Sequence, residues 1–484
     1  MEPYAEELFW LVVCGFVVAF VLAFGIGAND VANSFGTSVG SKVLTLTQAC
    51  ILATIFEIAG SVLIGYKVSD TMRKGILDVS LYSDGGERLL AAGCLSALVA
   101  GASWLIVATA LRLPVSGTHS MVGATVGFTL TAKGPVGVRW STLGAIVLSW
   151  FISPVLSGTV SAVLYWLVRK FILRAPQPLT SGLKALPFFY GATVAVNVVS
   201  VVHDGPKLLA MDDIPLWLAL VGSIMLGAVV AICVRALLVP YYQRQLVAPA
   251  VNFTLGLSNG KPSISSVPAA GKAWNIECDG GLPRLPAMTP NSSAAPLLRG
   301  VSPPPAQPPA PPPDTLRLFS FLQVLTATFG AFAHGGNDVS NAIGPLVALW
   351  LLYSEGGAHA RAETPLAILL FGGAGIALGL WLWGRRVIRT VGEDLTSITP
   401  DTGFTIELGA ALTVLVASKA GLPVSTTHCK VGSVVCVERK LTLQIIHLAK
   451  TNMCVCVCVC VCVCVFCLSQ HGLVTVECGP TYLL

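Results

Sequence analysis

The sequence predicts an all-α polytopic membrane protein built as an inverted repeat with broken or re-entrant helices, the plan of many secondary transporters. Two observations lead to this prediction: a composition too apolar for a soluble protein, and a pair of polar motifs that occurs twice. Of the 484 residues, 54% are apolar and 11% are charged, and the mean hydropathy is +0.77. Soluble domains carry about 25% charged residues, so this chain has too little charge to cover a water-facing surface.

Apolar segments recur along the chain at lengths that suit a bilayer. Six approach the roughly 20 residues of a spanning helix, and they are residues 9–24, 43–65, 89–111, 143–168, 216–239 and 366–383. Shorter candidates are residues 115–132, 186–202, 319–333, 343–352 and 404–420. We therefore expect about ten or eleven crossings, as in transporters and channels.

A polar, proline-rich segment divides the chain. Lysines and arginines collect there and in the connector around Arg169 and Lys170, so the positive-inside rule places both on the cytoplasmic side. Counting back five crossings puts the acidic N-terminus outside, and the net charge of +5 indicates orientation, not nucleic-acid binding. The expected regions are a first transmembrane half (1–239), a disordered cytoplasmic loop (240–316), a truncated second half (317–435) and an aberrant tail (436–484).

The duplication is the strongest signal in the sequence. Residues 27–37 align with residues 335–345 at six of eleven positions, and residues 113–123 align with residues 422–432 at eight of eleven. The distance from the Asn-Asp pair of the first motif to the His of the second is 90 residues in one copy and 91 in the other. Chance similarity between apolar helices would match aliphatic residues, whereas these matches include Asn, Asp, Ser, Thr and His.

The first motif places acids and amides at membrane depth. An unpaired Asp there costs at least about 2.5–3.5 kcal/mol on insertion scales, so each carboxylate needs a partner such as a cation. Carboxylate, amide and freed backbone oxygens suit a hard cation such as Na⁺. The flanking Gly25, Gly27, Gly335 and Gly336 are expected to let both helices unwind. The expected Na⁺ ligands are Asn29, Asp30, Asn337 and Asp338, with Asn33 and Asn341 in the same binding region.

The second motif suits an anion. Its proline and hydroxyl residues favour a helix start, and a helix N-terminus offers free N–H groups and a positive dipole to an oxyanion such as phosphate. Two such half-helices can converge on one tetrahedral oxyanion. The first copy contains no Arg or Lys, so co-bound cations would balance the anion and couple its transport to theirs. The expected anion-site residues are Ser116, Thr118, His119, Ser425, Thr426, Thr427 and His428.

Two further acids interrupt apolar runs. Glu57 and Glu407 are functional candidates, with a buried acid bonded to a neighbouring helix as the structural alternative, and Gly372 is the apparent counterpart of Glu57. Either acid could accept a cation or the proton of phosphate, and the second role would exclude sulfate. Single Ser, Thr, Asn and His residues also have structural interpretations, but their joint recurrence in both copies favours function.

At these motifs the chain resembles the inorganic phosphate transporter (PiT) family, specifically its animal sodium-dependent branch, solute carrier family 20. The similarity covers residues 8–239 and 316–435. It implies sodium-driven phosphate uptake at the plasma membrane, with the motif residues lining the ion sites. It also implies that Glu57, His334 and Glu407 correspond to positions needed for transport, that no cofactor beyond co-transported Na⁺ is used, and that a role as a retrovirus receptor occurs among relatives.

The expected departure from the family begins after Val435. A Val-Cys alternation over residues 454–465 is what a translated GT dinucleotide repeat encodes, so we expect a non-coding origin and an aggregation-prone segment. A transport-inactive truncated isoform and an anion channel are the alternatives to symport. An intramembrane hydrolase using Ser116 and His119 is disfavoured, because both residues are duplicated whereas a nucleophile works once. The sequence does not decide whether the chain forms a homo-oligomer.

Overall fold

The computed structural model describes residues 3–83, 85–203, 205, 211, 213–246, 313–357, 362–389 and 398–437. The expected loop over residues 240–316 and the expected tail over residues 436–484 lie almost entirely outside these residues, as does the Val-Cys tract. Both stay predictions. The described residues up to Tyr242 and from residue 313 onward belong to one compact unit, and residues 243–246 only complete a helix that begins at Val239.

Helices account for most of the described chain. The first half forms α1 (Glu6–Asn29), α2 (Ala32–Gly40), α3 (Leu46–Ile64), α4 (Tyr66–Asp70), α5 (Glu87–Ala110), α6 (Gly117–Lys133), α7 (Trp140–Val168), α8 (Pro178–Val202), α9 (Leu216–Cys233) and α10 (Val239–Leu246). The second half forms α11 (Pro313–Glu355), α12 (Leu366–Gly379), α13 (Arg385–Arg389), α14 (Pro400–Lys419) and α15 (Thr426–Val437). Among the described residues, β pairing is limited to one isolated bridge between Leu77 and Val138. The predicted all-α fold is confirmed.

Local sequence explains where several helices begin. Thr45 precedes α3 and forms a capping box with Gln48, in which each side chain accepts a hydrogen bond from the backbone N–H of the other. Proline occupies the first residue of α8 and of α14, where the missing N–H would have no helical partner.

Nine helical segments of the described chain are long and apolar enough to cross a membrane. The expected number of crossings, about ten or eleven, is too high for two reasons. Residues 319–333 and 343–352 belong to the single helix α11, which is 43 residues long. The candidate over residues 115–132 folds as α6, whose 17 residues are too few for a full crossing and form half of a hairpin.

The helices α1 and α11, which carry the two copies of the first motif, run antiparallel. Tyr4, just before α1, packs edge-on against Tyr353 near the end of α11, with ring centroids 5.3 Å apart. We name the end of the bundle where α1 begins the N-terminal end. The opposite end, where α11 begins at Pro313, is named the loop end after the loop that the sequence predicts before it.

Two helical hairpins enter the bundle from these opposite ends. In hairpin 1 (α5 and α6) the start of α5 lies at the N-terminal end, where Arg88 pairs with Glu7. In hairpin 2 (α14 and α15) the start of α14 lies at the loop end, where the Phe404 ring packs 5.9 Å from the Phe319 ring of α11. The predicted inverted repeat is therefore confirmed, because equivalent hairpins have opposite directions.

Glycines let helices from different repeats approach closely. A Cβ at Gly27 of α1 would overlap the carbonyl of Ile376 in α12, and a Cβ at Gly335 of α11 would overlap that of Glu57 in α3. The two contacts are equivalent across the repeat, so the structural counterpart of Glu57 is Ile376. The sequence-based choice of Gly372 is wrong, since the loop lengths before α3 and α12 differ.

The expected unwinding at these glycines occurs in neither copy, because α1 continues through Gly25 and Gly27 to Asn29. The first motif interrupts its helix at Asp30 and Val31, between α1 and α2, whereas α11 continues without a break through Gly335 and Gly336. In α11 the missing side chains serve close packing against α3 instead of backbone opening.

Replacing Gly60 with alanine tests this close packing. The added Cβ would overlap the backbone carbonyl of Phe332, so α3 and α11 must separate. We expect a lower melting temperature for the purified protein, since overpacking costs about 1–3 kcal/mol. Gly222→Ala in α9 is the control, because no atom lies within 4 Å of the added Cβ. Equal melting temperatures for the two variants would contradict the packing account.

Candidate functional site

The tips of the two hairpins have the same local structure. At corresponding positions Arg112 and Gly421 adopt the left-handed conformation, with φ of 60° and 69°, and reverse the chain after α5 and α14. Ser116 then caps α6 by accepting the N–H of His119, and Ser425 caps α15 by accepting the N–H of His428, at 3.3 and 3.2 Å. A new helix, α6 or α15, therefore begins at each tip, with its N-terminus inside the protein.

Hydrogen bonds that cross between the repeats hold the tips together. Asn33 of the first repeat donates to Thr427 Oγ1 of the second at 2.9 Å, and Asn341 of the second donates to Thr118 Oγ1 of the first at 2.8 Å. Thr118 Oγ1 in turn donates to the carbonyl of Val424 at 2.9 Å. All four polar side chains are buried. The two motifs of one repeat thus form a site only in combination with those of the other.

The two motif carboxylates are both buried at this junction, each with 1% of its surface exposed. Asp30 accepts the N–H of Gly117 at the start of α6, at 3.2 Å, and the hydroxyl of Thr427 at 3.3 Å. Asp338 accepts the hydroxyl of Thr426 at 2.9 Å and the amide of Asn341 at 2.9 Å. Because Thr426 and Thr427 are adjacent, the first turn of α15 contacts both carboxylates.

The paired asparagines Asn29 and Asn337 bind the backbone of the hairpin tips. Asn29 donates to the Leu113 carbonyl at 2.9 Å and accepts the N–H of Val115 at 3.0 Å, so its amide spans the tip of hairpin 1. Asn337 donates to the Val424 carbonyl at 2.7 Å. These bonds give both residues a positioning role, and their expected role as Na⁺ ligands stays a prediction.

Three buried side-chain oxygens near the junction accept no hydrogen bond: Oδ1 of Asn337, Oδ1 of Asn341 and Oε1 of Glu57. A buried acceptor without a donor is costly. All three are oxygens, which are the ligands that hard cations prefer. The donor set is therefore suited to a small cation such as Na⁺.

A histidine joins two of the acids. His334 Nδ1 lies 2.8 Å from Glu57 Oε2, and its Nε2 lies 2.6 Å from Asp338 Oδ2. Nδ1 forms a hydrogen bond with Glu57, whereas Nε2 is close to Asp338 without forming one, and a protonated ring would be a cation between the two acids. The alignment places Ile26 at the position of His334 in the first repeat, and Ile376 corresponds to Glu57. Of the two motif aspartates, only Asp338 therefore has a histidine beside it.

Glu407 lies in a separate cluster of hydroxyl and amide groups. Its Oε1 accepts Thr37 at 2.5 Å, Ser38 at 2.6 Å and Gln323 at 3.2 Å, and its Oε2 accepts Thr326 at 2.7 Å. The carboxylate is 1% exposed. It ties α14 to both α2 and α11 on the loop-end side of the motif carboxylates.

A small cavity of about 20 Å³, room for about one water molecule, lies between this cluster and the junction. Its polar lining consists of Asn33, Ser34, His334, Glu407, Thr426 and Lys430. The cavity therefore links Glu407 to the site residues that the sequence predicted.

The two motif histidines pack against each other and against α7. The His119 ring stacks on Trp150 at 3.8 Å between centroids and lies 4.6 Å from the ring of His428. His119 Nδ1 also lies 2.7 Å from Ser116 Oγ. These contacts position the two hairpins, and the expected binding role of both histidines stays a prediction.

Sequence reasoning missed Lys430 and the hydroxyl and amide partners of Glu407. Lys430 lies inside the second copy of the second motif, where the alignment places Met121 in the first copy, and that mismatch was the available signal. The partners of Glu407 carried no comparable signal, because Gln323 and Thr326 lie in an apolar stretch far from it in sequence.

Comparison with known proteins finds sequence relatives over most of the chain. The chain matches the PHO4 phosphate transporter family over residues 26–461, so the match continues past Val435, where a departure was expected. It is 39% identical to sodium-dependent phosphate transporter 2 of Homo sapiens and 38% identical to that of Xenopus tropicalis, over 89% of this chain and 92% of each relative. Sodium-dependent phosphate transporter 1-A of Danio rerio is 39% identical over 89% of both chains.

A solved structure described as the sodium-dependent phosphate transporter is also similar. It superposes with a TM-score of 0.74 and 31% identity, over 95% of this chain and 99% of the other. The resemblance inferred from the duplicated motifs is thus confirmed, and this chain belongs to the phosphate transporter family.

Proposed function

We propose that this chain is a symporter that carries inorganic phosphate together with Na⁺ across the plasma membrane. The observation that supports it most directly is the junction itself. Two helix N-termini from inverted repeats meet two buried carboxylates, Asp30 and Asp338, through the adjacent hydroxyls of Thr426 and Thr427. Helix N-termini attract an oxyanion, and carboxylates attract cations, so one site serves both ions.

Charge explains why the two ions travel together. Asp30, Asp338 and Glu57 provide three carboxylates, whereas His334 provides at most one positive charge, when its ring is protonated. A phosphate anion entering this site without cations would meet net negative charge at low dielectric, where repulsion is strong. Bound Na⁺ removes that repulsion. Cation binding therefore precedes or accompanies phosphate binding, which is the condition for coupled transport.

The oxygens without donors support a role for Asn337, Asn341 and Glu57 around Na⁺, together with Asp338. Phosphate would contact Thr118 and Thr427 and the first N–H groups of α6 and α15, replacing the bonds that these groups now make to the protein. The remaining motif residues hold the tips. Because the motif residues break or restrain helices at membrane depth, binding here is also linked to hairpin movement.

For orientation, we infer an outer N-terminus and a cytoplasmic loop over residues 240–316. The basic residues Arg169, Lys170 and Arg174 follow α7 and support this orientation by the positive-inside rule. The N-terminal end of the bundle is then extracellular and the loop end cytoplasmic. The lipid bilayer, phosphate and Na⁺ are the partners that this proposal requires.

Uptake of labelled phosphate into cells expressing the full chain, in sodium or choline medium, tests the proposal. We expect uptake in sodium only, whereas an anion channel would conduct in both media and an inactive isoform in neither. Asp30→Asn removes one carboxylate at the junction and should lower sodium-dependent uptake by about tenfold or more. The control is Asp213→Asn, because Asp213 is exposed.

Replacing Glu57 with glutamine tests anion discrimination. Protonated phosphate can donate a hydrogen bond to a carboxylate, whereas sulfate at neutral pH has no proton and is repelled. Sites built around such a bond reject analogues that lack it by up to ~10⁴-fold. We therefore expect sulfate to inhibit phosphate uptake by Glu57→Gln, but not by wild type or by the control Glu6→Gln at the exposed start of α1. Unchanged discrimination in Glu57→Gln would exclude this role.

A further inference from the structure

Lys430 is a buried basic residue without a role in the transport proposed above. It lies on α15, is 6% exposed and lines the small cavity beside Glu407 and His334. Lys430 makes no hydrogen bond with any residue that the structure describes. Three N–H donors of a buried ammonium group are thus available at the cavity.

Glu407 does not form hydrogen bonds with the N–H donors of Lys430. Four groups of α2 and α11 already donate to its two oxygens, three to Oε1 and one to Oε2. The Lys430 ammonium group faces the cavity and is not among the fully enclosed polar atoms that lack a partner, so its hydrogen bonds depend on what occupies the cavity. The arrangement therefore favours an additional acceptor in the cavity, and an anion satisfies both the charge and the donors of Lys430.

The position of Lys430 relates the cavity to the proposed phosphate site. Lys430 follows Thr426 by four residues on α15, which places it one turn and about 6 Å farther toward the loop end. Thr426 and Asn33 line the same cavity and add hydroxyl and amide donors. The cavity is too small for phosphate in this conformation, so hairpin 2 must move away from α2 and α11 before an oxyanion can enter.

The equivalent region of the other repeat is apolar. The alignment places Met121 at the position of Lys430 and Leu98 at that of Glu407, and both are buried. The Met121 side chain packs against Gly101 of α5 and fills the space there. A charged pair needed only to hold a hairpin would be expected in both halves. In the part of the chain that the structure describes, this charged pair instead occurs only in hairpin 2.

We propose that Lys430 forms a second oxyanion subsite, which holds inorganic phosphate on its way between the junction and the loop end. This inference rests on the proposed function. Adjacent sites of moderate affinity let an ion leave a binding site that would otherwise retain it. Lys430 thus acts on phosphate at the loop end and has little effect on phosphate that arrives from the N-terminal end.

Sided transport measurements test the subsite. The full chain is reconstituted in vesicles of uniform orientation, and labelled phosphate is offered at each end in turn, with sodium. Lys430→Met introduces the residue that the other repeat has at this position. For this variant we expect the half-saturating phosphate concentration at the loop end to rise about tenfold or more, because a charge-assisted hydrogen bond to phosphate is lost. At the N-terminal end we expect a change of less than about twofold. Lys430→Arg should retain the wild-type value at both ends.

Two results would overturn the subsite. The first is a half-saturating phosphate concentration that changes equally at both ends, or at neither end, in both Lys430→Met and Lys430→Gln. Lys430→Gln is included because a polar side chain is a safeguard in case Lys430→Met misfolds. The second is recovery of the loop-end value in the double variant Lys430→Met/Glu407→Gln, because Lys430 would then only neutralise Glu407. If the wild-type protein showed no sodium-dependent phosphate transport, the proposed function itself would be refuted.

Discussion

The hydrogen bonds that cross between the repeats are the constraint on which the rest of the site depends. Asn33 reaches Thr427 and Asn341 reaches Thr118, so each repeat supplies the amide for the hydroxyl of the other. These bonds fix two helix N-termini inside a bundle that otherwise buries apolar side chains. They also draw Asp30 and Asp338 to adjacent residues of one helix turn. Without this exchange, each motif would be a buried acid isolated from the other repeat.

The repeat is symmetric in its backbone but not in its charges. The hairpin turns, serine caps and crossed amide bonds occur in both halves, whereas His334, Glu407 and Lys430 align with Ile26, Leu98 and Met121. Because the two repeats are similar, the helices can pack in two similar arrangements, and inverted-repeat transporters generally alternate between such arrangements. Asymmetric charge gives the surroundings of the two hairpins different chemistry, with packed apolar side chains around Met121 in hairpin 1 and polar groups around Lys430 in hairpin 2.

Much of this arrangement could be predicted from the sequence, because the duplication relates residues that lie far apart. The nearly equal spacing of the motifs in the two copies indicated that Asn29, Asp30, Asn337 and Asp338 meet, and that hydroxyls begin a helix beside them. The role of Gly335 could not be predicted, since unwinding and close packing both require a missing side chain. The counterpart of Glu57 was missed because an alignment cannot reveal which helices of different repeats touch.

An experimental structure determined with sodium and phosphate tests the central claim most directly. The account predicts one tetrahedral density between the N-termini of α6 and α15, within hydrogen-bonding distance of Thr118 and Thr427. It also predicts cation density on the carboxylate side, near Asp30 and Asp338. If the crossed bonds persisted unchanged and phosphate lay outside the junction, the hairpin tips would be a structural clasp and the account would be wrong.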